Sequence, residues 1–545
     1  MSLINFILVL LTFVLADVNA QNETLVLPLN KTTTFRNKEL YSSFTNLNAS
    51  STLQVDFTSI NKDVSFIIFQ VHSHLYNVTL YNNTFTKGSY VSGTNVGLYS
   101  SIKPKLDTFF IYNPNPVSLD LYISVHGYAA TDPIPGGCNM EFSVPTSPYM
   151  QISYNKDYIL VDGAMAKDST DKNCNSIDKI VVFFYKFNLA ERNFEPDSYF
   201  EGLKNMLTLD RIEDFGEYIP DNGLRMRRML SAYPGTGSVY VAVAISLQNS
   251  SAYSVYVPTY TYACSPLDVE GCELLDDTFS QILCASLLFI GLFICFFGHR
   301  FFKTEMFLVG LTSGFIITFI LISLIADLER PALLEASLLS GLCFGAIWLL
   351  FWWFYGIPLI AVLLSTLNVG FLFAAIIYYG LPGGLLALRW DINFWSLFVL
   401  VMIMTSVLLV SMTFLSNILC CAILGAYATI YPIDYYFGSN LKYIMINTMR
   451  RATVPLFNTA VLSPPFQWRD ALLTFMWITL AICGFLFQHF HNRGRPPFPP
   501  PPRNVREVPT SMYYGTVEPR RRRFGTVTTI IPTMAAQSER SPLLA

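Results

Sequence analysis

Two hydrophobic periods divide the chain near residue 278. In the front part apolar and polar positions alternate. Residues 64–80, 119–125, 179–187 and 238–247 are rich in Val, Ile, Phe and Tyr, and turn residues such as Asp132-Pro133-Ile134-Pro135-Gly136-Gly137 separate them. Period-two alternation with this punctuation predicts short strands packed as β-sandwiches. One stretch, residues 197–215, reads as helical, a crossover or flap. The back part holds seven runs that stay apolar for 19 to 23 residues: 279–297, 306–326, 332–354, 357–379, 394–415, 417–437 and 471–490. Each is close to the ~20 residues that cross a bilayer. The pattern predicts a multi-pass α-helical membrane protein of seven spans behind an N-terminal, lumenal or extracellular, all-β ectodomain.

The same pattern suggests boundaries. Residues 1–20 read as a signal peptide: positions 3–16 are almost wholly apolar, and Val18 and Ala20 are the small residues expected before a cleavage site. Residues 21–135 and 136–277 are two sandwich modules, 278–490 the bundle, and 491–545 a cytosolic tail.

Composition sharpens the compartment. Hydrophobic residues make up 52% and charged ones 13%, against about 25% charged in soluble globular proteins. The net charge of −3 gives no case for nucleic acid. All six Asn-x-Ser/Thr acceptors, at Asn22, Asn30, Asn48, Asn77, Asn82 and Asn249, precede the spans. Such sites are glycosylated only on the lumenal face, which places the front part outside the cytosol and, with seven spans, the carboxyl terminus inside. The loop at 438–470 opposes this with Lys442, Arg450, Arg451 and Arg469, against the usual excess of cations on the inner side.

Chemical handles are few. Cys138, Cys174, Cys264 and Cys272 imply two lumenal disulfides. Of three possible pairings, Cys138–Cys174 and Cys264–Cys272 close the shorter loops within one module. His72 and His74 share a strand face, but no Cys or carboxylate cluster joins them, so they read as a surface or core pair and no metal or other cofactor is expected. No nucleophile elbow, HExxH or glycine-rich phosphate loop occurs, so the chain reads as non-enzymatic. Within the spans, Gly310/Gly314 and Gly341/Gly345 suggest close helix contact. Glu335 and Asp434 are expected to reach the membrane interface, and Asn368 to make a helix-packing hydrogen bond. Sparse intramembrane charge argues against ion coupling. A G-protein-coupled receptor of the commonest class is disfavoured: the third span ends Trp352-Trp353-Phe354-Tyr355, the seventh lacks Asn and Pro, and the inner loops at Tyr355-Gly356 and Ser416 are nearly absent.

The tail carries nine Arg against three Glu, net +6, with ten Pro, a composition of disordered chain. Arg520 to Arg523 would be drawn to anionic lipid. Arg493-Gly-Arg-Pro496-Pro-Phe-Pro499 fits a polyproline-II ligand of Src-homology or WW domains. Glu539-Arg-Ser-Pro-Leu543-Leu544 has the form of an acidic dileucine signal read by adaptor proteins, implying residence in the plasma membrane and in endosomes or lysosomes.

Several strings resemble one family. They are Asp132-Pro-Ile-Pro-Gly-Gly-Cys138-Asn-Met-Glu-Phe142, Tyr260-Thr-Tyr-Ala-Cys264-Ser265, Phe293-Ile-Cys-Phe-Phe-Gly-His-Arg-Phe301 with Lys303-Thr-Glu305, and the terminal Glu-Arg-Ser-Pro-Leu-Leu. They are similar to the transmembrane 7 superfamily member 3 family, whose membrane half is shared with transmembrane protein 198. The resemblance implies glycosylated seven-span proteins of the cell surface and endomembranes, linked to cell survival under stress, restraint of the unfolded-protein response and regulated secretion, without enzymatic activity or an established ligand. The four ectodomain cysteines match family positions. Two functions follow as expectations: an ectodomain that binds a lumenal or extracellular partner, or a transporter or channel for a neutral solute or lipid.

Overall fold

The computed structural model describes residues 23–499, except 83, 84, 87, 104, 105, 170, 172, 176, 222, 224, 269, 270, 273, 274, 276, 327, 382 and 384. The signal-peptide stretch, Asn22, Arg520 to Arg523 and the dileucine residues Glu539, Leu543 and Leu544 lie outside the described residues.

Nine strands build the first sandwich: β1 (Glu23–Pro28), β2 (Glu39–Leu47), β3 (Thr52–Thr58), β4 (Phe66–Ser73), β5 (Val78–Asn82), β6 (Tyr90–Gly93), β7 (Asn95–Ser101), β8 (Phe109–Tyr112) and β9 (Leu119–Tyr128). A sheet of order β1-β3-β8-β5-β6 faces one of order β2-β9-β4-β7. Every residue of β4 is buried, which a sandwich with one wet face would not produce. Phe69 turns into the sandwich against Phe57 and Phe109. Phe66 turns the other way, onto Tyr128, whose hydroxyl donates to the carbonyl of Val255. The outward face of this sheet is therefore covered by the second module.

The second module contains β10 (Ile134–Cys138), β11 (Met150–Tyr154), β12 (Tyr158–Gly163), β13 (Met165–Lys167), β14 (Ile180–Glu191), β15 (Glu217–Ile219), β16 (Arg227–Ser231), β17 (Thr236–Ser246), β18 (Tyr253–Val255) and β19 (Thr259–Thr261). Sheets of order β11-β12-β16 and β15-β14-β17-β18 form it, with β19 beside β17 and β10 paired to β13. The stretch expected to be one helix is two, α1 (Pro196–Lys204) and α2 (Leu209–Phe215). Buried Met206 and Leu207 lie between them and join the same apolar cluster. Cys138 bonds Cys174, and Cys264 bonds Cys272 just before the first span.

Among the described residues, seven helices are long and apolar enough to cross a membrane: α3 (Thr278–Phe297), α4 (Phe302–Ile325), α5 (Arg330–Tyr355), α6 (Pro358–Gly380), α7 (Asp391–Val410), α8 (Thr413–Phe437) and, after a short extra helix α9 (Tyr443–Thr453), α10 (Trp468–His491). Burial reaches 50% of the most apolar stretch of α6 and 61% of that of α8, against 17–28% elsewhere, so these two form the centre. Glycines set the helix contacts. A Cβ on Gly310 would lie 2.9 Å from the Cα of Gly345, and one on Gly314 3.2 Å from that of Gly341, so the two Gly-xxx-Gly motifs face each other across α4 and α5. Asn368 accepts from Ser313 Oγ at 3.0 Å, a helix-packing bond.

Candidate coupling site between the ectodomain and the bundle

Helix α9 stands in the segment read above as a plain loop, and it explains the misplaced cations. Tyr443, Ile444, Asn447, Thr448, Arg450 and Arg451 are buried along it. Their spacing of one, three, one, two and one keeps them on one side of a helix. The segment is pinned at both ends. Gly438 closes α8 in the left-handed region at φ 74°. Asp434, expected at the membrane interface, is instead wholly buried and accepts from the Lys442 amide. The Lys442 ammonium lies 3.8 Å from the same carboxylate and donates to the Ser439 carbonyl. At the far end, Asp470 accepts from the amides of Asn440 at 2.6 Å and Gln467 at 2.7 Å, capping α10.

Arg450 is the centre of the contact. Its Nε donates to Asp157 at 3.1 Å. Its Nη1 donates to Ser231 Oγ at 3.1 Å, the Ala232 carbonyl at 2.9 Å and Asn447 Oδ1 at 3.2 Å, and Nη2 to the Lys156 carbonyl. The side chain is 5% exposed. A guanidinium so desolvated is tolerable only when its fork is filled, as here. Around it, Ser231 Oγ donates to Asn447 Oδ1 at 2.7 Å, Tyr233 donates to the Leu462 carbonyl at 2.6 Å, and the Tyr233 and Tyr443 rings meet edge-on at 4.7 Å.

Backbone completes the junction. Val461 pairs with Leu230 as a parallel bridge, the Val461 amide donating to Met229 at 2.9 Å and the Ser231 amide to Val461 at 3.0 Å. The loop thus adds itself to the free edge of β16, an intramolecular β-augmentation. Further along, Lys186 pairs with Glu217 at 3.3 Å and donates to the Ser463 carbonyl. Burial pushes its ammonium below the usual lysine range while Glu217 pulls it back. The Glu191 amide donates to Gln467, and Arg192 to the Tyr435 carbonyl at 3.1 Å. Burial raises the Glu191 carboxyl, and Lys442 opposes the rise.

The two modules are joined with similar polarity. His72 Nδ1 lies 2.6 Å from Asn95 Oδ1, which also accepts from Tyr199 of α1 at 2.8 Å. His74 lies 3.3 Å from the Tyr262 hydroxyl and its ring rests against Tyr199. His72 is therefore a core histidine, one of the two readings expected for the pair, and half-buried His74 reaches across the seam between modules. Burial holds His72, and His126 on the neighbouring β9, down at about 4. Gly97 admits the Val257 side chain of the second module, 2.5 Å from where a Cβ would stand.

A second polar cluster lies within the bundle at the end away from the ectodomain. Glu305, which falls between the first two apolar runs, is in the first turn of α4 and 2% exposed. Asn417 donates to it at 2.8 Å and approaches His299 Nδ1 at 3.0 Å, and Ser365 Oγ lies 3.4 Å away. Among the described residues the spanning helices therefore bury Glu305, Asp434 and Asp470, carboxyls that the apolar runs did not place inside. Phe498, inside the Arg493-to-Pro499 motif, packs edge-on against His299 and Phe302. Among the acceptor asparagines, Asn30, Asn48, Asn77 and Asn249 are exposed and Asn82 is half-buried.

Comparison with known proteins matches this layout piece by piece. The family model described as the TM7S3/TM198-like domain matches residues 284–489. Those described as the TM7SF3-like N-terminal and second immunoglobulin-like domains match 33–128 and 133–267. Transmembrane 7 superfamily member 3 of Homo sapiens is 30% identical over 466 residues, 81% of this chain and 80% of that protein. The proteins of the same name from Rattus norvegicus and Mus musculus are 29% and 28% identical, covering 81% and 84% of this chain and the same shares of theirs. The chain, a seven-span membrane protein with an immunoglobulin-like ectodomain, belongs to the transmembrane 7 superfamily member 3 family.

Proposed function

We propose that this is a non-enzymatic receptor-like membrane protein whose ectodomain binds a lumenal or extracellular partner and whose bundle anchors and receives that event. The observation that carries the reading is the Arg450 junction. An ectodomain on a flexible tether could bind but not transmit. One fixed by a filled guanidinium fork and an added strand moves with the helices. In this reading the signal peptide is removed, the six acceptor asparagines carry glycans on the lumenal side, and the tail is cytosolic. The terminal Glu539, Leu543 and Leu544 direct the protein through adaptors between plasma membrane and endosomes or lysosomes. The stress-survival, unfolded-protein-response and secretory roles implied by the family resemblance would be the outputs.

Proximity labelling from the amino-terminal end of the full chain tests the binding reading. A reproducible set of lumenal proteins should be enriched by about fivefold or more over an unrelated seven-span protein, the ratio that ~1 kcal/mol of preference gives. Enrichment equal to that control sinks the reading. Glycosidase digestion tests the topology, since a mobility change of less than one glycan contradicts a lumenal ectodomain.

One observation supports the second reading, a path for a neutral solute or lipid: the Glu305–Asn417–His299 cluster inside the bundle. Vesicles holding the full chain should then move a labelled lipid between leaflets faster than protein-free vesicles. Equal rates remove that reading.

A further inference from the structure

The β1-β3-β8-β5-β6 sheet of the first domain carries a row of aromatic side chains on the face turned away from its core. Leu80, Val91, Phe109 and Ile111 point inward, so the residues that alternate with them, Tyr81, Tyr90, Phe110 and Tyr112, stand on the other face. Tyr81 lies opposite Tyr90 on β6 and opposite Phe110 on β8, and Phe110 lies opposite Gln54 on β3. The rings are ordered against one another. Tyr81 stacks on Phe110 at 5.1 Å and 13°. Phe85, between β5 and β6, stacks on Tyr90 at 4.6 Å and meets Tyr81 edge-on at 5.4 Å. Phe85 is 58% exposed and Tyr90 36%, and Tyr81, Phe110 and Tyr112 are half-buried. The second domain packs on the opposite sheet, through Tyr128 and Val255. A contiguous apolar face on a surface marks a place where something lies.

The same strand supplies an occupant. Exposed Asn77 directly precedes β5 and forms a glycan acceptor with Val78 and Thr79. Positions 77, 79 and 81 have one parity, so Asn77 leads along the strand onto the ring face. Tyr112 lies opposite Thr79. Asn115 steadies the attachment point, its side-chain amide donating to the Asn77 carbonyl at 2.8 Å. At a strand rise of about 3.3 Å per residue, Tyr112 stands ~7 Å along the strand from Asn77 and Tyr81 ~13 Å. The asparagine side chain and the first two sugars of a linked glycan cover that span. Asn82, one residue past Tyr81, has the opposite parity and a buried Oδ1, so Asn77 is the acceptor that shares the ring face.

We propose, resting on the lumenal glycosylation put forward above, that the two N-acetylglucosamine units of the Asn77 glycan lie along this row, the first beside Tyr112 and the second on the Tyr81 and Phe110 rings. The C–H groups of a pyranose ring make one side of the sugar apolar, which suits ring carbons. Its hydroxyl and acetamide groups stay in water or reach Gln54 at the end of the row. A sugar held in this way removes apolar surface from water without a second protein. It also covers this sheet against an ectodomain partner, which is left the remaining faces.

The test uses the full chain made in glycosylating cells and purified in mild detergent. Glycopeptide mass spectrometry comes first: an unoccupied Asn77 overturns the proposal through glycosylation itself, before stacking is asked about. With Asn77 occupied, amidase release of the glycans from the folded protein is timed. Release at Asn77 should be about tenfold slower than at exposed Asn48, the ratio that ~1.4 kcal/mol of protection gives. Tyr81→Thr with Phe110→Thr, a residue suited to strands, should bring Asn77 to the rate of Asn48 and leave Asn48 and Asn249 unchanged. Equal rates in wild type overturn the proposal, and so does an unchanged slow rate in the double variant. If that variant does not fold, wild type decides alone. The N-acetyl methyl signals of an isotope-labelled Asn77 glycan, assigned by their loss in Asn77→Gln, should be displaced by ring currents from those at Asn48, and coincidence overturns the proposal. Added diacetylchitobiose should not bind glycosylated wild type. Binding would show the rings open to the glycan of another molecule and overturn the assignment to Asn77.

Discussion

Removing the Arg450 guanidinium would leave Asp157, Ser231 Oγ, Asn447 Oδ1 and two carbonyls facing one another without their donor. Asp157 is 46% exposed and regains water, so the cost is that of the buried neutral acceptors left short of a donor, about 1–3 kcal/mol. Arg450→Ala should therefore lower the unfolding midpoint of the purified full chain by several degrees. Arg450→Lys should recover less than half of the loss, because an ammonium cannot fill the fork. A wild-type midpoint in Arg450→Ala would place the junction's stability elsewhere. Two buried histidines give a second expectation at this scale. His72 and His126 are held at about 4 by burial, below the roughly 6.5 of the unfolded chain, so the unfolded state binds their protons more tightly. Their stability contribution is full above about pH 6.5 and falls as the pH drops toward 4, by up to ~1.4 kcal/mol per pH unit for each group. Melting curves at pH 7.5 and 5 should show the loss. His72→Gln should show a shallower one, and a steeper one would contradict the assignment.

Elements differ in how openly the sequence declares them. Strand alternation and seven apolar runs are visible because each is a simple period over many residues. Helix α9 is not, because its buried face carries Asn447, Thr448, Arg450 and Arg451 beside Tyr443 and Ile444, and hydropathy counts such residues as loop. The available signal was their helical spacing, together with four cations on the wrong side of the expected topology. Glu305 escaped for a related reason: it follows Lys303 at the edge of an apolar run, and only tertiary contact with Asn417 draws it inside. The sheet edges of the second module were equally silent, since the strand partner of Leu230 lies 231 residues away, 461 minus 230. At this scale the α4–α5 hairpin is testable. A Cβ on Gly341 would stand 2.7 Å from the Leu311 carbonyl oxygen, whereas nothing lies within 4 Å of one on Gly380. Gly341→Val should cost about 1–3 kcal/mol in detergent melts, and Gly380→Ala almost nothing. Equal effects would mean the hairpin does not depend on close approach.

Across the whole molecule, three locks join the parts in series: first domain on second through the histidine seam, second on bundle through Arg450, and the start of the tail on the bundle through Phe498. The last lock predicts that the Arg493-to-Pro499 motif is less available than its sequence suggests. Phe498→Ala should speed tryptic cleavage after Arg493, the arginine of this segment that no proline follows, by about tenfold, the effect of making local opening ~1.4 kcal/mol easier. An unchanged rate would show that the ring does not hold the segment. Sorting belongs to this scale too. Leu543→Ala with Leu544→Ala should shift the steady-state distribution toward the cell surface, and an unaltered distribution on imaging would rule out the dileucine signal. The bridge between Leu230 and Val461 also sets a clock. During synthesis at roughly 5–20 residues per second, the 231 residues between them take about ten to fifty seconds to emerge. For that interval the edge of β16 is an open strand, available to chaperones and to other nascent chains. The ectodomain is translated first, but it is finished only when the last loop before the seventh span arrives.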